Sequence, residues 1–233
     1  MAESWLRFWD RPHSIYVNDR HLRVHYAHIA DEILAVLPQR RGSTVFDFGC
    51  GEALDAARVA ARAGRLYLYD GAPSVRARLA TRFSPVPNIT VLDEPGLLAL
   101  PDGSIDVFVV FSVIQYVDRA ALPDLFRGWR RKLAGTGMLV IADVIPPDAR
   151  LLDDIQALLT TAWQHGFFLA ALAGLATTLF SDYRGLRRRL GLSVYTEQEI
   201  TALLRSAGFA TEAYPRNLGF HRARRTYIGR PAH

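Results

Sequence analysis

The segment Val45-Phe46-Asp47-Phe48-Gly49-Cys50-Gly51-Glu52 holds the densest chemistry in the chain. An apolar, β-branched run ends in an acid and then in two glycines one residue apart. Glycines there let the backbone turn sharply and lie close against a ligand at the carboxyl end of a sheet. The next apolar run, 65–70, ends in a second acid, Asp70, 21 residues past Gly49. An acid at that position can accept bonds from both hydroxyls of a ribose. A dinucleotide loop wants a third glycine and a helix N-terminus open to a pyrophosphate. Here Leu54 takes the third position, and Glu52 and Asp55 bring negative charge to the place a pyrophosphate would occupy. The pattern disfavours NAD and FAD and favours a nucleoside ligand that carries positive charge.

Other residues with chemical potential follow in order. Asp93 and Glu94 end a third apolar run, Phe111 and Ser112 end a fourth, and Gln115 and Tyr116 come just after it. Histidines gather near the N-terminus at His13, His21, His25 and His28, with His165 far downstream. Any of these could serve as a base if an acceptor must lose a proton. His21, His25 and His28 share one helical face, a spacing that could bind a metal, but no acid accompanies them in the pattern of a hydrolase. No metal is expected. Cys50 reads as a small residue that fits between the glycines. As the single cysteine it excludes a disulfide scaffold and a multi-cysteine zinc site, and a reducing, cytoplasmic setting fits best.

The elements that must position these residues alternate. Strand patterns at 44–49, 65–70, 88–93, 104–112 and 137–144 are separated by helix patterns at 53–64, 74–83 and 121–135. That rhythm implies βαβ units and a parallel sheet. The run 104–112 is almost continuously apolar, as in a strand buried on both faces. Residues 3–37 read as one or two amphipathic helices with a turn near Pro12; Tyr26, Ile29, Ile33, Val36 and Leu37 form the apolar face. Residues 150–190 read as helical with no strand. Thr196 and Glu199 form a capping box that opens a last helix, and two strands follow near 210–214 and 225–229. The chain is read as one α/β domain: a helical lid at 1–40, a cofactor-binding core at 41–147, a helical insertion at 148–192, and a final helix and strands at 193–233.

Composition bounds the rest. The 233 residues are 50% hydrophobic and 22% charged, which excludes wholesale disorder. The net charge of +5 is uneven. Residues 1–182 carry 18 basic and 20 acidic groups, whereas 183–233 carry ten and three. The excess is a local arginine patch, in Arg184, Arg187, Arg188 and Arg189 and in the HRARR run at 221–225. It points to an anionic partner or surface rather than to coating of nucleic acid. Phe167–Phe180 has no strongly polar residue, yet fourteen residues make about 21 Å of helix, short of a bilayer core. The apolar stretch 155–180 is open to three readings: an interfacial helix seeking anionic lipid across 155–190, a roof over a hydrophobic substrate, or a core or homodimer contact.

VFDFGCGEALD resembles the first motif of class I S-adenosylmethionine-dependent methyltransferases. YLYDGAP, TVLDEPGLLALPDGSIDVFVVFSVIQYV and KLAGTGMLVIAD resemble the later landmarks in family order, so the likeness covers about 44–146 and 196–229. Two departures are Ala53 in place of the third glycine, a mild change, and Gly135-Thr136-Gly137 in place of Pro-Gly-Gly. The resemblance implies a Rossmann-like seven-stranded α/β sheet with helices on both faces, an N-terminal helical lid and a helical insertion after the fifth strand. It implies S-adenosylmethionine as cofactor, with S-adenosylhomocysteine as product. Gly49 and Gly51 would face the methionine part and Asp47 its ammonium. Asp70 would hold the ribose and Gly71 would line the purine. Asp93 or Glu94 would reach the adenine amino group, Phe111 and Ser112 would border the methyl group, and Tyr16 would close over the cofactor. The acceptor expected is a small, apolar or lipid-like molecule. The alternatives are an RNA or protein methyltransferase, with no nucleic-acid module visible, and a non-catalytic cofactor-binding subunit. Catalytic candidates are Gln115, Tyr116, His25 and His165.

Overall fold

Strand and helix alternate from residue 44 to residue 144, as the apolar spacing requires. A computed structural model describes residues 3–11, 16–40, 42–178 and 191–232. The chain begins with α1 (Glu3–Trp9) and α2 (Asp19–Val36), then β1 (Thr44–Phe48), α3 (Ala56–Ala63), β2 (Arg65–Tyr69) and α4 (Pro73–Phe83). Next come β3 (Ile89–Val91), α5 (Glu94–Ala99), β4 (Ile105–Phe111), α6 (Leu122–Lys132) and β5 (Leu133–Val144). The insertion holds α7 (Leu151–Gln164) and α8 (Phe168–Thr178), and α9 (Glu197–Ser206), β6 (Phe209–Ala213) and β7 (Arg225–Pro231) close the fold.

The seven strands lie in the order β3-β2-β1-β4-β5-β7-β6, and β7 is antiparallel to both neighbours. The pairs among β1 to β5 are parallel. Strand order reverses between β1 and β4, which opens a crevice at their carboxyl ends.

Alternation along each strand builds two cores. Val45, Leu66, Val107 and Val140 pack against α2, α3 and α4. Phe46, Phe108, Leu139 and Ile141 pack on the other face with Phe126 and Trp129 of α6 and Ile200 and Leu204 of α9. Both faces of β4 are covered, which is why its sequence is apolar throughout. Each such fully buried side chain contributes roughly 1.5–3 kcal/mol.

Two details differ from the sequence reading. α5 stands where only a loop was expected; Asp93 caps it by accepting from the Gly96 N–H at 2.8 Å, and six residues are too few to show a period. α6 stops at Lys132 and β5 begins at Leu133, because Leu133 pairs with Ile105 and buries in the sheet core, overriding the stop signal at Gly135. The N-terminal segment is two helices, one of the two arrangements expected, with Pro12 outside the described residues. The capping box is as expected: Glu199 N–H donates to Thr196 Oγ1 at 3.1 Å, and Thr196 N–H to Glu199 Oε2 at 2.8 Å. In the insertion, Ala162, Phe167 and Ala171 bury against Val17 and Val24, so the α7–α8 pair leans on α2 and the residues before it.

Candidate functional site

The carboxyl ends of β1, β2 and β4 open into a cleft lined by Asp47, Gly49, Gly51, Asp70 and Phe111. The glycine loop forms its floor. Gly49 has φ +76° and Gly51 φ +56°, and a Cβ would stand 2.3 Å from Val113 Cγ2 at the first and 2.2 Å from the Tyr26 hydroxyl at the second. No other residue type fits there. Ala53 is also left-handed at φ +42°, so the missing third glycine leaves a local strain of roughly 1 kcal/mol.

Two acids meet above this loop. Asp70 follows β2 and accepts from Gly51 N–H at 3.0 Å and Ala72 N–H at 2.8 Å. Arg76 fixes the turn behind it by donating to the carbonyls of Asp70 at 2.6 Å and Gly71 at 3.0 Å. Burial raises the Asp70 pKa, against the pull of those two N–H bonds. Asp47 lies one register position inside the end of β1, opposite Leu68 and Val109. Burial, and then the neighbouring Asp70, push its pKa up to about 7. Its carboxylate has no hydrogen-bond donor among the described residues, although it lines the cleft. A buried acid without a donor is costly and accepts a cation readily.

The rest of the lining is aromatic. Trp9, Tyr16, Tyr26, His25 and Tyr116 face the cleft with Phe111 and Ser112. Tyr26 is the hub: its hydroxyl accepts from Glu52 N–H at 2.8 Å and from Tyr16 at 3.4 Å. Burial pushes the Tyr16 hydroxyl up to about 12, and burial, with nearby His21, pushes His25 down to about 4. Both are neutral at pH 7. The rings of Trp5 and Trp9 pack on Tyr116 at 4.8 and 5.4 Å, so α1 forms one wall. Asp10 holds that wall to the start of α4 by accepting from Ser74 N–H at 2.7 Å.

Beside Ser112 lies a polar network that sequence reading missed. Ser112, at φ +56°, donates to Asp143 Oδ2 at 2.6 Å; Asp143 itself has φ +66°. Arg224 donates to the same oxygen at 2.5 Å, and Asn217 to Oδ1 at 2.9 Å. Arg224 also reaches Asp154 of α7 at 3.1 Å, as does His221. Burial works against the Asp143 charge, but Arg224, His221, Ser112 and Asn217 more than offset it and hold its pKa below the ordinary value. Asp143 reads in sequence as an ordinary strand residue, and its partners lie 31 to 81 positions away.

Several sequence candidates sit elsewhere. His165 is exposed at the end of α7, away from the cleft, where its helix simply turns. Gln115 is buried outside the lining set, and its backbone carbonyl accepts from Ser193 at 3.0 Å. Asp93 and Glu94 are exposed at the start of α5, with Asp93 engaged as a cap. Gly71 adjoins the site but does not line the cleft. His21 stacks on Phe167, and Phe220 packs against His25 and His28, so the histidine row packs against aromatics. No cluster placed to hold a metal occurs among the described residues. His13, Arg184, Arg187, Arg188 and Arg189 lie outside them.

Glu52 does not repel a ligand from the loop. Arg78 donates to it at 2.9 and 2.5 Å and Arg82 at 2.9 Å; these bonds outweigh burial and lower its pKa. Within the HRARR run, Arg224 is not part of a free basic face, because it is buried against Asp143, while Arg222 and Arg225 are exposed. Arg216 likewise forms a two-pronged pair with Glu32 at 2.7 and 2.6 Å.

A family model described as a methyltransferase domain matches residues 19–214. No curated protein matches the chain. Many solved structures share its fold. One is DhpI in complex with S-adenosylhomocysteine, at TM-score 0.62 and 16% identity, covering 99% of this chain and 96% of that one. A SAM-dependent methyltransferase from Aquifex aeolicus gives 0.55 and 15%, covering 98% and 97%. Human N-acetylserotonin methyltransferase in complex with SAM gives 0.60 and 13%, covering 98% of this chain but 56% of that one. At these identities the likeness is one of fold.

Proposed function

The chain belongs to the methyltransferase-domain family and is a class I S-adenosylmethionine-dependent methyltransferase; on that premise we propose that it methylates a small, apolar or lipid-like acceptor held in the aromatic part of the cleft. S-adenosylmethionine supplies a methyl group already activated on a cationic sulfur. The chain's own residues fit it. The observation that carries the reading is Asp47, a buried carboxylate that lines the cleft without a donor of its own. An ammonium would restore its missing partner, and Asp70 beside it would take the ribose hydroxyls. Gly49 and Gly51 leave room for backbone contact. Phe111 and Ser112 would border the transferred methyl, and Gly71 with Asp93 or Glu94 would reach the base.

Transfer then needs alignment and dryness more than acid–base chemistry. Trp9, Tyr16 and Tyr116 exclude water. His25 lines the cleft, but the burial that pushes its pKa down to about 4 makes it a weak base for an acceptor that must lose a proton. The aromatic walls favour a small apolar acceptor. Against the RNA reading, Arg216 and Arg224 are engaged by acids rather than presented to a phosphate backbone. Calorimetry with S-adenosylmethionine and NAD tests the cofactor: the former should bind and the latter should not. Binding of NAD alone would overturn the reading.

A further inference from the structure

We propose that the α7–α8 pair is a docking surface for an anionic lipid bilayer. The inference starts from α8, whose sequence FLAALAGLATT contains no charged or amide side chain. Its buried face is used: Ala171 packs inward with Phe167 and Ala162. Its outer stripe is apolar as well. Leu169 is 81% exposed and Leu172 44%, and Trp163 at the end of α7 is 74% exposed. Trp163 and Phe168 meet edge to face at 5.6 Å, so the aromatic and aliphatic groups form one patch around the turn. Single apolar side chains on a surface are ordinary, but a water-facing helix with no polar face is not.

The geometry excludes spanning. No helix among the described residues is long and apolar enough to cross a membrane. A helix of this length fits the interface, lying along it with Leu and Trp in the acyl boundary.

Charge selects the partner. Residues 155–178 contain no Asp, Glu, Lys or Arg. Arg20 reaches over the turn: a Cβ placed at Gly166 would stand 3.3 Å from its guanidinium. Arg23 is exposed one helical turn further on. The acids nearby lie at the helix starts: Asp19 opens α2, Asp153 caps α7 by accepting from Arg150 N–H at 3.0 Å, and Asp154 beside it turns inward to Arg224 and His221. An apolar patch with the cations Arg20 and Arg23 at its edge complements phosphate headgroups, at about 1 kcal/mol per basic residue near the surface. Docking would also hold the cleft beside the membrane, since α7–α8 leans on α2, and α2 carries His25 and Tyr26.

The test is vesicle flotation of the full chain. Vesicles of phosphatidylglycerol and phosphatidylcholine should carry the protein, and pure phosphatidylcholine should carry far less. Binding should fall at about 1 M salt, where charges are screened beyond about 3 Å. W163S/L169S should lose about tenfold or more in binding, from the apolar burial forgone, and Arg20→Glu severalfold. Both variants should bind S-adenosylhomocysteine unchanged, which separates lost docking from lost folding. Absence of flotation, or equal flotation of W163S/L169S, would overturn the proposal. So would sedimentation showing a dimer that W163S/L169S dissolves.

Discussion

Two buried acids stand on the same rim of the sheet, and the chain treats them in opposite ways. Asp143, at the end of β5, receives Ser112, Asn217 and Arg224, and its pKa is held below the ordinary value. Asp47, at the end of β1, receives no donor from the described residues, and its pKa is pushed up to about 7. Burial is nearly the same at both, so burial does not decide the difference; the partners do. An acid with its partners supplied by the chain is part of the scaffold. An acid left without them is a place where a cationic ligand completes the structure.

The largest effect should come from breaking the satisfied member. Asp143→Ala leaves Arg224 without its buried partner and should cost about 3–5 kcal/mol of stability in a denaturant melt. A loss under about 1 kcal/mol would mean the network carries little weight and the contrast with Asp47 is false.

Asp70→Ala comes next. Two bonds to a charged acceptor are each worth about 1.5–3 kcal/mol, so affinity for S-adenosylhomocysteine should fall about a hundredfold or more by calorimetry. Unchanged affinity would remove Asp70 from the ribose role.

Asp47 sharpens the comparison through pH. Its carboxyl rises from 3.8 to about 7 on folding, so between those values the folded state holds more protons than the unfolded one. Stability of the ligand-free protein should therefore fall as pH rises through that window, and stay lower above it. Asp47→Asn should flatten this dependence and stabilise the ligand-free protein at pH 8 by up to a few kcal/mol. The same variant should bind S-adenosylhomocysteine about tenfold more weakly at pH 8. In the unaltered chain, affinity should weaken as pH falls below about 7. A variant that loses stability at pH 8 would place Asp47 with Asp143 as a structural acid.

The smallest effect concerns α5. Asp93→Ala should cost about 1 kcal/mol through the lost cap, while Asp93→Ser keeps the cap. If Asp93 also reaches the adenine, both variants should bind S-adenosylhomocysteine more weakly; if it is only a cap, neither should.

Legibility followed distance along the chain. The glycine loop, Asp47 and Asp70 were readable because strand, turn and acid are contiguous, and each strand's alternation is local. Strand order beyond the first βαβ units came only with the resemblance. The Ser112–Asp143–Arg224 network was invisible, since its members are 31 and 81 positions apart. Glu52 was misread for the same reason: Arg78 and Arg82 approach it from α4, a full helix later. His165 carried no local sign that α7 would turn it outward.

The sequence by itself determined the alternating elements, the loop that only glycine can form, and the acids that end β1 and β2. These depend on φ, on periodicity and on residue type, which are properties of short segments. The tertiary structure decided which charges are satisfied. It made Arg216 and Arg224 partners for Glu32, Asp143 and Asp154, left Asp47 open, and turned one stripe of α8 outward. Charge satisfaction depends on which groups meet across the fold, and no local pattern records that.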